Sequence, residues 1–92
     1  MLTGAQLRAA RGLINISVAD LAERSGLAIN TIRRAEAANG LVRMTTENLM
    51  RVIAVLEAAG VVLVDAGDGL GPGVRLSSAE PLPKQARRRD RR

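Results

Sequence analysis

Residues 18–36 read VADLAERSGLAINTIRRAE and contain two short helical patterns separated by Gly26. Glycine readily adopts the left-handed conformation that ends a helix, and the small side chain of Ala22 allows two helices to cross closely. The apolar residues predicted to fill the angle between these helices are Leu21, Leu27 and Ile32. Two helices joined by so short a turn cross at a wide angle and expose one face of the second helix. The stretch therefore predicts a helix-turn-helix.

Further helical patterns lie on both sides of this motif. Thr3 and Gln6 have the spacing of a capping box, and Ser17 and either Thr45 or Thr46 are suited to begin later helices. The apolar periodicity predicts helices over residues 4–12, 18–25, 29–39 and 47–59. The expected fold is therefore mainly α, with a four-helix domain over residues 1–60.

After the fourth predicted helix, the sequence pattern changes from helical to one typical of β-strands. Residues 61–64 and 73–76 flank the glycine-rich loop 66–72, which predicts a β-hairpin over residues 61–77. The loop lacks the Lys-Ser/Thr ending of a phosphate-binding loop, so we interpret it as a flexible connection. An isolated two-stranded hairpin is marginally stable and must dock on the helices or pair with another chain. Residues 78–92 are predicted to form a disordered basic tail.

The amino-acid composition of the chain excludes several classes of function. The 92 residues include no Phe, Trp or Tyr, no Cys and no His, although 47% are hydrophobic. This excludes aromatic stacking on single-stranded nucleic acid, thiolate and disulfide chemistry, and histidine as a general base or metal ligand. We expect a protein that is not an enzyme and has no cofactor or metal. No apolar run reaches a membrane span of about 18 residues and no signal peptide is evident, so a cytoplasmic, nucleoid-associated location is expected.

The net charge of +5 does not belong to the predicted domain. Residues 1–83 contain eight Arg and eight acidic residues, whereas residues 84–92, KQARRRDRR, contain six basic residues and one acid. The tail either keeps the chain soluble or adds a sequence-independent attraction to phosphates. Any specific contact with nucleic acid has to come from individual Arg residues in the helices.

Residues 3–59 resemble the Cro/repressor-type (Xre-like) helix-turn-helix DNA-binding family. The matching residues are Arg11, Leu21-Ala22, Gly26-Leu27, Thr31-Ile32 and Glu36. The resemblance implies a four-helix repressor-type domain in which Arg11 and Glu36 form a buried ion pair between the first and third helices. It also implies a sequence-specific regulator of transcription that binds double-stranded DNA. We expect a repressor, because little chain remains to sense a metabolite or recruit other proteins.

The same resemblance assigns the DNA contacts. The residues expected to touch base edges are Ile29, Asn30 and Arg34, on a recognition helix over residues 29–39. Asn can pair with adenine, Arg with guanine, and Ile can contact a thymine methyl group. The residues expected to contact phosphates are Asn15, Ser17, Thr31, Arg33 and Arg43.

The fourth helix and the hairpin are the two elements that indicate the oligomeric state of the protein. One short recognition helix reads few base pairs, so we expect a homodimer built from these two elements. Met50 and Val55 lie outside the main apolar stripe of the fourth helix, which suggests a second buried contact. That apolar excess can also be explained by the hairpin alone covering the helix.

A second hypothesis comes from two departures from the family pattern. Val18 stands where many members have Gln, and Ala28 stands where many have a Ser or Thr that caps the recognition helix. The missing Gln and the neutral charge of the predicted domain favour a protein-interaction module, such as an antitoxin or anti-activator. The hairpin or the tail would then hold a protein partner.

Overall fold

The computed structural model describes residues 2–79, which form four helices followed by two strands. The helices are α1 (Gly4–Ile14), α2 (Val18–Ser25), α3 (Ile29–Glu36) and α4 (Thr46–Ala58). The strands are β1 (Val61–Val64) and β2 (Gly73–Leu76), paired antiparallel. This confirms the predicted fold class. The predicted basic tail lies outside the described residues, apart from residues 78 and 79.

Side-chain caps begin three of the helices. Thr3 and Gln6 form the predicted capping box of α1, and Ser17 accepts a hydrogen bond from the backbone N–H of Asp20 at the start of α2. Of the two threonines proposed to cap α4, Thr45 does so, by accepting from the Asn48 N–H. Ala28 precedes α3 and provides no side-chain cap.

Two helix ends differ from the sequence prediction by two residues or more, and both ends of α4 differ by one residue. Helix α1 continues two residues past Gly12 to Ile14 and ends at Asn15, which takes the left-handed conformation (φ 59°). The predicted third helix over residues 29–39 was too long, since α3 ends at Glu36. The chain beyond α3 instead bonds to the N-terminal segment, where Gly4 N–H donates to the Gly40 carbonyl (3.0 Å) and Val42 N–H to the Leu2 carbonyl (2.9 Å).

The core lies among all four helices and receives one strand residue. Its largest fully buried side chains are Leu2, Leu7, Ile14, Leu21, Ile32, Leu56, Val52 and Val61. Helix α2 packs against α3 and α4, and α1 packs against α3. The predicted angle-filling residues Leu21 and Ile32 are buried, and Leu27 packs against them at the edge of the core. The short α2–α3 pair is therefore held from behind by α1 and α4.

The hairpin docks on α1 and α4, which is one of the two outcomes that the sequence allowed. Its register pairs Val61 with Leu76 and Leu63 with Val74, and these four residues form the face that packs on the helices. The connection that was interpreted as flexible contains a tight turn at its centre. Gly67 and Leu70 exchange two backbone hydrogen bonds around Asp68 and Gly69, which both have positive φ, as in a type I′ turn.

None of the helices in residues 2–79 is long and apolar enough to cross a membrane.

Candidate functional site

Helix α3 divides into a buried face and an exposed face. Ile32, Ala35 and Glu36 are buried, whereas Ile29, Asn30, Arg33 and Arg34 are exposed, and Thr31 lies at the boundary. Asn30 and Arg34 are four residues apart and therefore lie on the same side of the helix, one turn from each other. The three residues predicted to read bases thus share one surface. Ile29 exposes 42% of its area there.

The charge of this exposed face is entirely positive. The only acidic residue in α3 is Glu36, which is buried, whereas Arg33 and Arg34 both face solvent. Neither arginine takes part in an ion pair within residues 2–79, where the pairs are Arg11–Glu36 and Arg51–Glu47. Both guanidinium groups are therefore available to an anionic ligand.

Arg11 and Glu36 form the ion pair implied by the family resemblance. Arg11 Nε lies 2.6 Å from Glu36 Oε2 and Arg11 Nη2 lies 2.9 Å from Glu36 Oε1, so the contact is bidentate. The hydrogen bonds that Arg11 donates to the Glu36 carboxylate raise the pKa of Arg11. The third nitrogen, Nη1, donates to the Ile16 carbonyl (3.1 Å). One guanidinium group therefore fixes the end of α3 relative to the α1–α2 connection.

The residues flanking Ile16 are two of the predicted phosphate contacts. Asn15 ends α1 through its left-handed backbone, which leaves its side chain exposed. Ser17 Oγ accepts the Asp20 N–H (2.9 Å), so its hydroxyl hydrogen can still be donated outward. Because Arg11 links the Ile16 carbonyl to Glu36 of α3, the backbone next to both residues has a fixed position relative to α3.

Arg43 also joins the exposed surface near α3. Arg34 and Arg43 line an open groove of about 800 Å³, together with the backbone and side chains of residues 37–42. Leu41 in this groove is 60% exposed. The structure thus brings a base-reading candidate and a phosphate-contacting candidate to one concave surface.

Two residues that support α3 were not recognised from the sequence. Arg8 Nη1 donates to the Glu36 carbonyl and so satisfies an unpaired acceptor at the C-terminal end of the helix. Gly4 lies against the same end, where a β-carbon would approach the Ala38 carbonyl oxygen to 2.5 Å and the Ala35 carbonyl oxygen to 2.8 Å. A glycine in the first turn of α1, where alanine would be the better helix former, was the available signal for this close approach.

Within residues 2–79, no three Asp, Glu, His or Cys side chains come together as a metal site would require. No protein-family model matches the chain, and no curated protein is significantly similar to it. The exposed face of α3, with Asn15, Ser17 and Arg43 around it, combines positive charge with hydrogen-bonding side chains. It is therefore the candidate functional site.

Proposed function

We propose that the protein is a sequence-specific regulator of transcription, of the Cro/repressor helix-turn-helix type, that binds double-stranded DNA as a homodimer and acts as a repressor in the cytoplasm. The observation that carries this proposal is the exposed face of α3. It presents Ile29, Asn30 and Arg34 on a helix whose only acid is buried and paired.

The dimensions of α3 suit the major groove. An α-helix with its side chains is about 10–12 Å across, which matches the roughly 12 Å width of the major groove of B-form DNA, and the eight residues of α3 extend about 12 Å along the helix axis. Asn30 and Arg34 are separated by about 6 Å along the helix axis, which corresponds to about two base-pair steps. We expect Asn30 to pair with adenine and Arg34 with guanine at neighbouring positions of a half-site.

Phosphate contacts are assigned to the surrounding polar groups. Arg33 and Arg43 provide charge, whereas Asn15, Ser17 and Thr31 provide hydrogen-bond donors that fix the position of α3 on the duplex. Arg11 contacts no DNA in this proposal. It acts through Glu36 and Ile16 by holding the helix and the α1–α2 connection in one geometry.

Selection of bound sequences from a random double-stranded DNA pool tests the proposal. The expected result is an enriched, two-fold symmetric site whose half-sites are one helical turn, or a multiple of one turn, apart. Absence of enrichment, combined with absence of a gel shift at low salt, would contradict DNA binding.

A protein-interaction module, such as an antitoxin or anti-activator, is the second candidate function. The observations that favour it are Val18 in place of the Gln of many relatives and the exposed apolar residues Val62, Val64 and Leu70 of the hairpin. It becomes the preferred function if the selection experiment enriches no sequence and the protein copurifies stoichiometrically with one partner.

A further inference from the structure

The hairpin carries an exposed apolar tip. Leu70 exposes 73% of its area, the largest fraction among the large apolar side chains of residues 2–79. It is held in place by its two backbone hydrogen bonds to Gly67 across the Asp68-Gly69 turn. Asp68 lies at the same tip and forms no ion pair within the described residues. The tip therefore presents an exposed apolar side chain on a hydrogen-bonded backbone, together with one negative charge.

The base of the same hairpin carries a groove. An open cavity of about 700 Å³ is lined by Leu13 of α1, by Val62, Val74, Arg75 and Leu76 of the strands, and by residues 77–79. Leu13 and Val62 are 38% and 41% exposed. Arg75 is exposed and has no ion-pair partner within residues 2–79. The groove therefore combines apolar walls with one positive charge.

The tip and the groove are complementary but cannot meet within one chain. The tip lies beyond the Val64–Gly73 pair and the groove lies at the Val61–Leu76 end of the hairpin; Leu70 precedes Val74, Arg75 and Leu76 by four to six residues, or up to about 13–20 Å of extended chain. A second copy, related by a two-fold axis that reverses the strand direction, would bring each tip to the other groove. Asp68 of each copy would then approach Arg75 of the other. A two-fold axis that keeps the strands parallel would leave both charges without partners.

We propose that two copies of this chain associate through reciprocal insertion of the hairpin tip, with Leu70 of each copy in the groove at Leu13, Val62 and Val74 of the other. This proposal deepens the proposed function, on which the need for two copies rests, by naming the surface that joins them. It places the contact on the hairpin and not on the exposed face of α4.

Disulfide cross-linking tests this arrangement, because the chain contains no Cys. In the full chain, the double variant Leu13→Cys/Leu70→Cys should form a covalent dimer on mild oxidation, reversed by reductant. The two-fold axis closes the contact, so no ladder of higher multimers should form. The matched control is Met50→Cys/Leu70→Cys, which uses the 54% exposed Met50 of α4 and should remain monomeric. Equal cross-linking in the control, no covalent dimer, or a ladder would each overturn the proposal.

Sedimentation equilibrium on cysteine-free variants provides a second measurement. Leu70→Glu should abolish self-association, because it removes the apolar side chain that enters the groove of the other copy. The fold should be kept, because Leu70 is 73% exposed in its own chain. Met50→Glu should leave self-association unchanged. Self-association that survives Leu70→Glu or is lost in Met50→Glu would contradict the proposed surface. A cross-linked dimer that binds no DNA would contradict the proposed function alone. Operator binding by a chain that does not cross-link would contradict the dimer surface alone.

Discussion

Arg11 connects three parts of the molecule through one guanidinium group. It contacts Glu36 with two nitrogens and the Ile16 carbonyl with the third, while the Glu36 side chain is only 9% exposed. The pKa of Arg11 is raised above a normal value that is already far into the alkaline range. Stability from a raised pKa is fully present below the unfolded-state pKa and is lost only as pH rises through the folded-state value. On the arginine side, the pair therefore contributes no pH dependence near neutrality.

Replacing Arg11 by Met should destabilise the fold strongly. The change leaves the Glu36 carboxylate buried without its partner, and the expected loss is about 3 kcal/mol in the free energy of unfolding, or several degrees in melting temperature. Thermal and denaturant unfolding measure it. The matched control is Arg51→Met, which removes the exposed pair with Glu47 and should cost less than about 1 kcal/mol. Equal effects of the two substitutions would show that the Arg11 pair is not a structural anchor.

Gly4 and Gly12 provide a matched pair of glycines in α1. Gly4→Ala should destabilise the protein, because the new methyl group would lie within 3 Å of the carbonyl oxygens of Ala35 and Ala38. Gly12→Ala meets no atom within 4 Å and should stabilise the protein by about 0.5–1 kcal/mol, through the better helix propensity of alanine. Urea denaturation of both variants checks the opposite signs. A stabilising Gly4→Ala would contradict the close packing of α1 on the end of α3.

The contacts of some residues could be predicted from the sequence, and those of others could not. The caps Thr3 and Ser17 depend on neighbours within three residues, so local patterns were sufficient. The partner of Arg11 is 25 residues away and could be expected only from the family resemblance. The contacts of Arg8 and Gly4 with the end of α3 also join residues distant in sequence. The glycine in the first turn of α1 signals a close approach, but no local pattern indicates which residues it approaches.

At the scale of elements, Gln6 joins α1 to the hairpin. Its side chain is buried and accepts the Thr3 N–H through Oε1, while Nε2 donates to the carbonyls of Val64 (3.2 Å) and Gly73 (3.0 Å). Both carbonyls belong to the last residue pair before the turn region. The capping box was predicted from the sequence, but its second use as a clamp on the hairpin was not, because the strands lie about 60 residues further along the chain.

Gln6→Glu should loosen the hairpin while keeping the capping box. The carboxylate still accepts the Thr3 N–H, but it has no N–H for the two strand carbonyls and places a negative charge beside them. We expect a loss of about 1–3 kcal/mol and faster hydrogen exchange of the β1 and β2 amides than in the native chain. Unchanged exchange in the strands would show that Gln6 does not hold the hairpin on α1.

The C-terminal end of α3 could not be predicted from the local sequence pattern. Apolar and small residues continue through Ala37 and Ala38 to Asn39, so periodicity extended the helix to residue 39. The helix stops at Glu36 because Gly40 and Val42 bond to the N-terminal segment, a contact across about 36 residues. The exposed face at Ile29, Asn30 and Arg34 was unaffected by this error, since it lies in the first two turns.

At the scale of the whole molecule, the positive charge is divided between the helical domain and the tail. The arginines of α3 are positioned by the fold, whereas the excess charge of +5 belongs to residues 84–92. The two sources of charge should therefore contribute differently to DNA binding, the first to sequence preference and the second to attraction by phosphates.

Deleting residues 84–92 should mainly flatten the salt dependence of DNA affinity. Each phosphate contact that is lost lowers the slope of log K against log salt concentration by about 0.9, and the relative affinities for different sequences should be preserved. Titrations at several salt concentrations, on the selected site and on a scrambled duplex, measure both quantities. A changed sequence preference with an unchanged salt slope would contradict this division of roles.

Substitution of Arg34 tests whether the exposed face of α3 reads DNA. The matched control is Arg24→Ala, which removes an exposed arginine of α2 that lies beside Val55 and Ala58 of α4 and away from the proposed DNA surface. On the DNA site selected from the random pool, Arg34→Ala should weaken binding by about 1–3 kcal/mol and relax the preference at one base pair of each half-site, whereas Arg24→Ala should leave both unchanged. Equal affinities and equal sequence preferences for the two variants would contradict the account.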